Sequence, residues 1–290
     1  MPFSVDESAA CTRLVQLALD EDLGDVGDLT SLAVITEDAQ GQAVFVSRAI
    51  GVVAGLPAAR LVFAQLDPKV SFQELLADGS PIQQGTQLAI VRGPMRSILI
   101  GERTALNFMQ RLSGIASLTA EHVKLIAGLP CKLLDTRKTT PGWRLLEKYA
   151  VRQGGGHNHR MGLCDGVLIK DNHLAALGRT PDVVARAVAL ARAKHGQKVP
   201  LEIEVDTLEQ LDVALGAAPD IVLLDNMPPS MLREAVIRRD VVARQVLLEA
   251  SGGVTLASLR AIAETGVDRV SLGALTHSAK ALDIGLDYLF

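Results

Sequence analysis

The residues able to do chemistry sit at the ends of short apolar runs in the second half of the chain. Cys131–Asp135 leads into Thr136, Arg137 and Lys138, and Gly166–Lys170 leads into Asp171 and Asn172. Leu201–Val205 carries Glu204, and Ile221–Asp225 leads into Asn226. Val246–Ala250 runs into Ser251, Gly252 and Gly253, and Arg269–Leu272 into Gly273. One polar strand end only marks where a strand meets solvent. Six in series, carrying both charge signs, point to a site at the carboxyl ends of parallel strands.

Local charge narrows the ligand. Residues 136–170 hold seven Lys and Arg against two acids, a segment of +5 in a chain of net −4, so the remainder sums to −9. A cationic pocket in an acidic protein attracts a small, strongly anionic ligand. Arg suits planar carboxylates and phosphates through paired hydrogen bonds, whereas Lys acts as a compact charge. Arg137, Lys138, Arg160 and Lys170 are the candidates. Arg144, Lys148 and Arg152 are expected instead on the solvated face of a short helix, Trp143–Val151.

Two turns lead from a strand toward a helix, Ser251-Gly252-Gly253 and Gly273 to Thr276. Bare backbone N–H groups there suit a phosphate ester. Glu204 and Asp225 are acids that an anion should avoid. They fit Mg2+ on a diphosphate, ribose hydroxyls, or a structural ion pair with Lys170. Zinc at His157 and His159, with His173, is disfavoured, because no Cys or Glu completes a familiar ligand spacing. Cys131 and Cys164 are expected as small buried hydrophobes.

The elements that must carry these groups follow from periodicity. The six apolar runs alternate with Ala-rich helical patterns such as Asp182–Lys194, Leu208–Leu215 and Leu256–Glu264, the rhythm of a parallel sheet buried on both faces. With one further strand around Gly156–Arg160, the expectation is an α/β fold closing as a seven-stranded parallel barrel. An open doubly wound sheet fits nearly as well, but no G-x-G-x-x-G follows the first strand. The first half reads as α+β: helices at Ser8–Leu19, Pro57–Gln65 and Arg96–Gly128, with strands at Gly41–Arg48, Val70–Leu76 and Thr86–Val91. The expected division is an N-terminal α+β domain over 1–115 and an α/β barrel catalytic domain over 116–275, with a tail at about 276–290 packing back on the first.

At 290 residues, 48% hydrophobic and 21% charged, the chain can bury a large core, and its acidic balance argues against nucleic acid or membrane partners. No apolar stretch is long enough to span a bilayer and no signal peptide is visible, so a soluble, cytoplasmic protein is expected. Three dispersed cysteines give no disulfide framework.

Taken together, Asp135–Gly142 (DTRKTTPG), Gly154–Arg160 (GGGHNHR), Leu168–His173 (LIKDNH), Glu202–Val205 (EIEV), Leu223–Asn226 (LLDN) and Glu249–Gly253 (EASGG) resemble the quinolinate phosphoribosyltransferase family. Glu21–Asp25 (EDLGD) and Gly101–Asn107 (GERTALN) extend the resemblance over nearly the whole chain. It implies quinolinate and phosphoribosyl pyrophosphate (PRPP) as substrates, Mg2+ as cofactor, and nicotinate mononucleotide, pyrophosphate and CO2 as products in NAD biosynthesis. It also implies a homodimer with shared sites, with assembly beyond the dimer, a hexamer included, left open. Arg103 of a neighbouring subunit, Arg137, His159, Arg160 and Lys170 would surround the pyridine dicarboxylate. Lys138 and Lys170 would face PRPP or its pyrophosphate, Glu204 and Asp225 its ribose and Mg2+, and Ser251, Gly252, Gly253 and Gly273 its 5′-phosphate. Lys138, Lys170, Glu204 and Asp225 would be the catalytic set. The alternatives are a paralogous pyrophosphorylase-like protein linked to molybdenum transport, a barrel aldolase with Lys170 as Schiff-base lysine, and a non-catalytic anion binder.

Overall fold

Ser4 and Glu7 open the first helix by reciprocal capping: the Ser4 hydroxyl accepts the Glu7 N–H, and the Glu7 carboxylate accepts the Ser4 N–H at 2.8 Å. That helix, α1 (Val5–Leu23), stops at Gly24, whose φ of 49° few other residues adopt. The computed structural model describes residues 2–178 and 180–289, with elements numbered along the chain. The chain divides into two compact units. One comprises Met1–Glu121, Lys138–Gly155 and Ala274–Phe290, and the other comprises His122–Arg137 and Gly156–Gly273.

In the first unit, α2 (Leu29–Val34) is capped by Asp28. β1 (Gln40–Ser47), β3 (Ser71–Glu74), β5 (Gln87–Pro94) and β12 (Ile284–Tyr288) form an antiparallel sheet in the order β12-β1-β5-β3. β2 (Gly51–Val52) pairs with β4 (Pro81–Ile82) in a separate ribbon. α3 (Leu56–Leu66) starts from Gly55 at φ 101° with Pro57 in its first turn. Its free N–H groups are met by Asp78, which accepts from Gly55 at 2.7 Å and Leu56 at 3.1 Å, and also takes the Tyr149 hydroxyl at 2.8 Å. Phe45, Phe63 and Phe72 pack with ring centroids 5.7 to 6.2 Å apart, pinning α3 to the sheet.

Two features of this division have one physical cause. Residues 138–155, including α5 (Arg144–Gln153), fall in the first unit, and the returning segment begins at Ala274. The node is Glu147, fully buried, which accepts the Thr140 N–H at 3.1 Å, the Thr140 hydroxyl at 2.8 Å and Arg111 Nη2 at 2.5 Å. Arg111, on the long helix α4 (Met95–Leu125), also donates to the carbonyls of Thr276 and Ala279. One ion pair thus ties three stretches of chain. The α5 basic residues are not a solvated face either: Lys148 is fully buried and Arg152 pairs with buried Glu7 at 2.5 Å.

The second unit holds six parallel strands: β6 (Lys132–Leu134), β7 (Val167–Ile169), β8 (Leu201–Val205), β9 (Ile221–Asp225), β10 (Leu247–Ser251) and β11 (Arg269–Ser271). Their order is β6-β11-β10-β9-β8-β7. α6 (Asp171–Leu177), α7 (Val183–His195), α8 (Leu208–Ala217), α9 (Pro229–Val242) and α10 (Leu256–Ala263) lie between successive strands, as a right-handed parallel crossover requires. α11 (Ala274–His277) follows β11. Of the expected seventh strand, the segment 156–160 supplies one parallel bridge, Leu134 with His157. The ladder ends there because the Asp135 side chain intercepts it, taking the His159 N–H at 2.9 Å and the Asn158 amide at 2.6 Å. Among the described residues no helix is long and apolar enough to cross a membrane.

Candidate active site

Parallel register brings three of the expected residues to the carboxyl end of the six-stranded sheet. Glu204 on β8 is level with Leu223 on β9, and Asp225, which ends β9, is level with Ser251, which ends β10. Lys170 follows β7 and its ammonium is ion-paired with the Glu204 carboxylate. Glu204, Asp225 and Asp171 line a cavity of about 390 Å3, a size that suits a small ligand. The ion pair weighed between Glu204 and Lys170 is therefore present.

Asn226, which the sequence marks only as part of a strand end and of the LLDN motif, holds Asp225 in place. It sits in the left-handed region at φ 54°, donates its side-chain amide to Asp225 at 2.7 Å, and gives its N–H to the Ser251 carbonyl at 2.9 Å. Gly252 and Gly253 follow at φ 87° and 60° and are exposed. A side chain at Gly252 would collide with the Asn226 amide, so glycine there is required by close approach as well as by φ. The next helix, α10, has its first turn closed by Thr255, whose hydroxyl accepts the Ser258 N–H at 3.3 Å. Gly273 lies at the start of the four-residue α11.

The arginines lie elsewhere in the same unit. Arg160 donates Nη1 to the carbonyl of Gly166, just before β7, at 3.0 Å. The Nε atoms of Arg137 and Arg160 are both buried and, among the described residues, have no hydrogen-bond partner. Desolvation lowers the Arg160 pKa, and the neighbouring charge of Arg137 lowers it further. Two guanidinium groups close together, each with an unmatched buried N–H, make a place for a planar dianion. A second cavity, of about 440 Å3, is bounded by His159, Arg160, Glu202 and Arg269, and shares no lining residue with the first.

His159 does not open toward that cavity as a free imidazole. Its Nε2 lies 3.0 Å from Glu202 and 3.4 Å from Glu249, and its Nδ1 accepts the Arg160 N–H at 2.8 Å. Burial lowers its pKa, but the two carboxylates outweigh that and raise it to about 9. The Arg160 N–H pulls the other way, since Nδ1 must be bare to accept it. The geometry is that of a ring carrying its proton on Nε2, and a second proton would cost the Arg160 hydrogen bond. Arg269 completes the cluster, with Nε 2.8 Å from Glu249. His159, Glu202 and Glu249 offer ligand atoms within 4.8 Å of one another, but Arg269 already neutralises part of their charge and disfavours a metal ion there.

His157 is exposed, and His173 is exposed with Nδ1 accepting the Lys170 N–H at 2.9 Å. Arg103 on α4 and Lys138 are exposed residues of the first unit, and the Lys138 carbonyl accepts the Thr276 hydroxyl at 2.7 Å. Cys131 is buried and its thiol is pushed up to about 12 by desolvation. Cys164, contrary to expectation, is exposed: it sits in a turn held open by Asp165, which accepts the N–H groups of Met161 and Gly162. Glu202 and Glu249 stand in the EIEV and EASGG motifs and Arg269 opens an apolar run, but the sequence assigned none of them a role. Their signal was an acid inside each of two otherwise apolar strands, LEIEV and LLEAS.

Comparison with known proteins identifies the family. The N-terminal domain of quinolinate phosphoribosyl transferase matches residues 28–113, and its C-terminal domain matches 115–287. The chain is 45% identical over 267 residues to the probable nicotinate-nucleotide pyrophosphorylase (carboxylating) of Bacillus subtilis (strain 168), covering 92% of this chain and 89% of that protein. It is 44% identical over 283 residues to the nicotinate-nucleotide pyrophosphorylase (carboxylating) of Mycobacterium leprae (strain TN), covering 97% and 98%. Among solved structures, the nicotinate-nucleotide pyrophosphorylase from Francisella tularensis superposes with a TM-score of 0.90 at 41% identity, over 97% of each chain. NadC from Streptococcus pyogenes gives 0.91 at 38%, over the full length of both. The chain belongs to the quinolinate phosphoribosyltransferase family.

Proposed function

We propose that this protein is a cytoplasmic enzyme that transfers the phosphoribosyl group of PRPP to quinolinate with decarboxylation, in the synthesis of NAD. The observation that carries the reading is the pair Arg137 and Arg160, close enough to perturb one another and each with a buried, unmatched Nε. A pyridine dicarboxylate supplies what both lack. Lys170 on the rim, and Arg103 of the partner subunit in a homodimer, complete the cationic surround. The 5′-phosphate is assigned to Ser251, Gly252, Gly253 and Gly273, and the pyrophosphate to Lys138 and Lys170. We infer that the sheet closes as a seven-membered barrel through segment 156–160. Supporting this, His157 bridges to β6 while Arg160 bonds the residue before β7, the strand at the opposite edge.

Mg2+ prefers carboxylate oxygens, and Glu204, Asp225 and Asp171 around one cavity are a donor set of that kind. Bound there, Mg2+ would neutralise charge on the diphosphate. The chain's own residues orient the two substrates and stabilise their charge. The pyridine nitrogen attacks the anomeric carbon of the ribose, and the bond to pyrophosphate breaks with its electron pair leaving on pyrophosphate. Glu204 and Asp225 stabilise cationic character at that carbon, and Lys138 and Lys170 the departing charge. The ring nitrogen, now cationic, accepts the electrons of the neighbouring carbon–carboxylate bond; CO2 leaves and the ring carbon takes a proton. No covalent enzyme intermediate is required. The Schiff-base alternative has little support, because the Lys170 ammonium is ion-paired with Glu204 and not left free as a nucleophile.

The test is release of CO2 from carboxyl-labelled quinolinate with Mg2+, with and without PRPP. Release that depends strictly on PRPP, with equal nicotinate mononucleotide formed, is the expected result. No release by folded, Mg2+-supplied protein would overturn the reading.

A further inference from the structure

A line of ionisable side chains runs through the interior of the second unit. Glu249 on β10 is fully buried, Glu202 on β8 is 3% exposed, and the His159 side chain is 9% exposed. From one end, Arg269 Nε lies 2.8 Å from Glu249, Glu249 3.4 Å from His159 Nε2, and that nitrogen 3.0 Å from Glu202. The imidazole then turns its other nitrogen to the Arg160 N–H at 2.8 Å, while Asp135 takes the backbone N–H of His159 at 2.9 Å.

Such a cluster is a poor stabiliser. Burying carboxylates costs more than their ion pairs return unless every oxygen is also hydrogen-bonded. Here both oxygens of Glu249, Oε1 of Glu202 and Nε of Arg269 lie outside hydrogen-bond geometry, although Glu249 and Arg269 stand at ion-pairing distance. Apolar residues would pack these strands more stably. What the cluster does is fix one imidazole from both nitrogens, and through it the backbone of Arg160, whose guanidinium is held, among the described residues, at Nη1 alone. The three supporting charges stand on strands locked by the parallel ladder, so they form a rigid frame behind a residue that follows an irregular turn.

We propose that Glu202, Glu249 and Arg269 are positioning residues that act through His159 to aim Arg160 at quinolinate. The proposal rests on the phosphoribosyl-transfer reading above. Holding a guanidinium within a fraction of an ångström of its working position governs the affinity of the anion it meets and bears less on PRPP, whose phosphates are assigned to other residues.

The experiment combines steady-state kinetics with amide hydrogen exchange on the full chain, for wild type, Glu202→Gln and Glu249→Gln. In both variants KM for quinolinate should rise about tenfold while KM for PRPP and kcat stay within about twofold. The Arg160 amide should exchange about tenfold faster, because its acceptor has lost its anchor. The Lys170 amide, bound to His173 at 2.9 Å in the same unit, should keep its rate and serves as the internal reference. Where Glu249→Gln loses folded protein, Glu202→Gln and the charge-conserving Arg269→Lys carry the test, and Arg269→Lys should keep both readouts near wild type. Equal losses for both substrates with an unmoved Arg160 amide would overturn the relay and leave the cluster merely structural. Wild-type protein inert toward quinolinate and PRPP would instead overturn the functional reading, so the two failures are distinguishable.

Discussion

Asp135 Oδ1 accepts the backbone N–H of His159 at 2.9 Å, while Oδ2 takes the Asn158 amide at 2.6 Å. A fully buried carboxylate thereby ties the end of β6 to the segment bearing His159 and Arg160. Asp135→Asn keeps the shape but turns an amide donor toward one of these donors. It should lower unfolding free energy by about 1–3 kcal/mol, measured by urea denaturation. A change within experimental error would mean that the segment is anchored by other contacts.

Arg137→Lys keeps the charge and removes the planar fork. KM for quinolinate should rise by about tenfold or more with KM for PRPP within about twofold, since a lysine cannot make the paired contact to a carboxylate. Equal losses for both substrates would move Arg137 away from the dicarboxylate.

Asn226→Ala removes the amide that steadies Asp225, and it also places alanine at φ 54°. Activity should fall by about tenfold at limiting PRPP, with quinolinate affinity kept. Gly252→Ala drives a methyl group into the Asn226 amide and should reproduce that loss with added instability of about 1–3 kcal/mol. Thermal melting beside PRPP titration reads both. Unchanged PRPP dependence in Asn226→Ala would show that Asp225 needs no such support.

The acid limb of stability reports on Glu249. Burial pushes its carboxyl up, yet the adjacent His159 imidazole and the Arg269 guanidinium outweigh this and hold it below the ordinary carboxylate range. A carboxyl depressed in the folded state contributes stability above its ordinary value, and that contribution is lost as pH falls through the folded value. Arg269→Gln removes one depressing charge, so the midpoint of acid unfolding should move to higher pH, by about half a unit. A midpoint unmoved, or shifted to lower pH, would contradict the ion pair.

The strands of the second unit were legible because their runs are short, apolar and bounded: Leu201–Val205 and Ile221–Asp225 were read to the residue. Their polar ends placed Lys170, Glu204 and Asp225 on one rim for the same reason. The seventh strand was not legible, since the interruption at 158–159 comes from the Asp135 side chain, a partner more than twenty residues away. The fate of α5 was hidden likewise: Lys148 and Arg152 carry the spacing of a wet helix face, yet a fully buried position and the carboxylate of Glu7, at the start of the chain, claim them. Local pattern reports propensity and polarity; which distant group satisfies a buried charge is a property of the assembled fold. The part Asn226 plays was hidden on a smaller scale, because a left-handed asparagine announces itself only through its φ.

The antiparallel pairing of β12 with β1 sets an order on biosynthesis. Residues 284–288 supply the hydrogen bonds along one edge of β1, and they leave the ribosome after every residue of the second unit. The catalytic sheet can therefore assemble during translation, while the first unit holds an open strand edge until its own last piece emerges. During that interval β1 is the natural target for trigger-type chaperones and for mispairing between nascent chains.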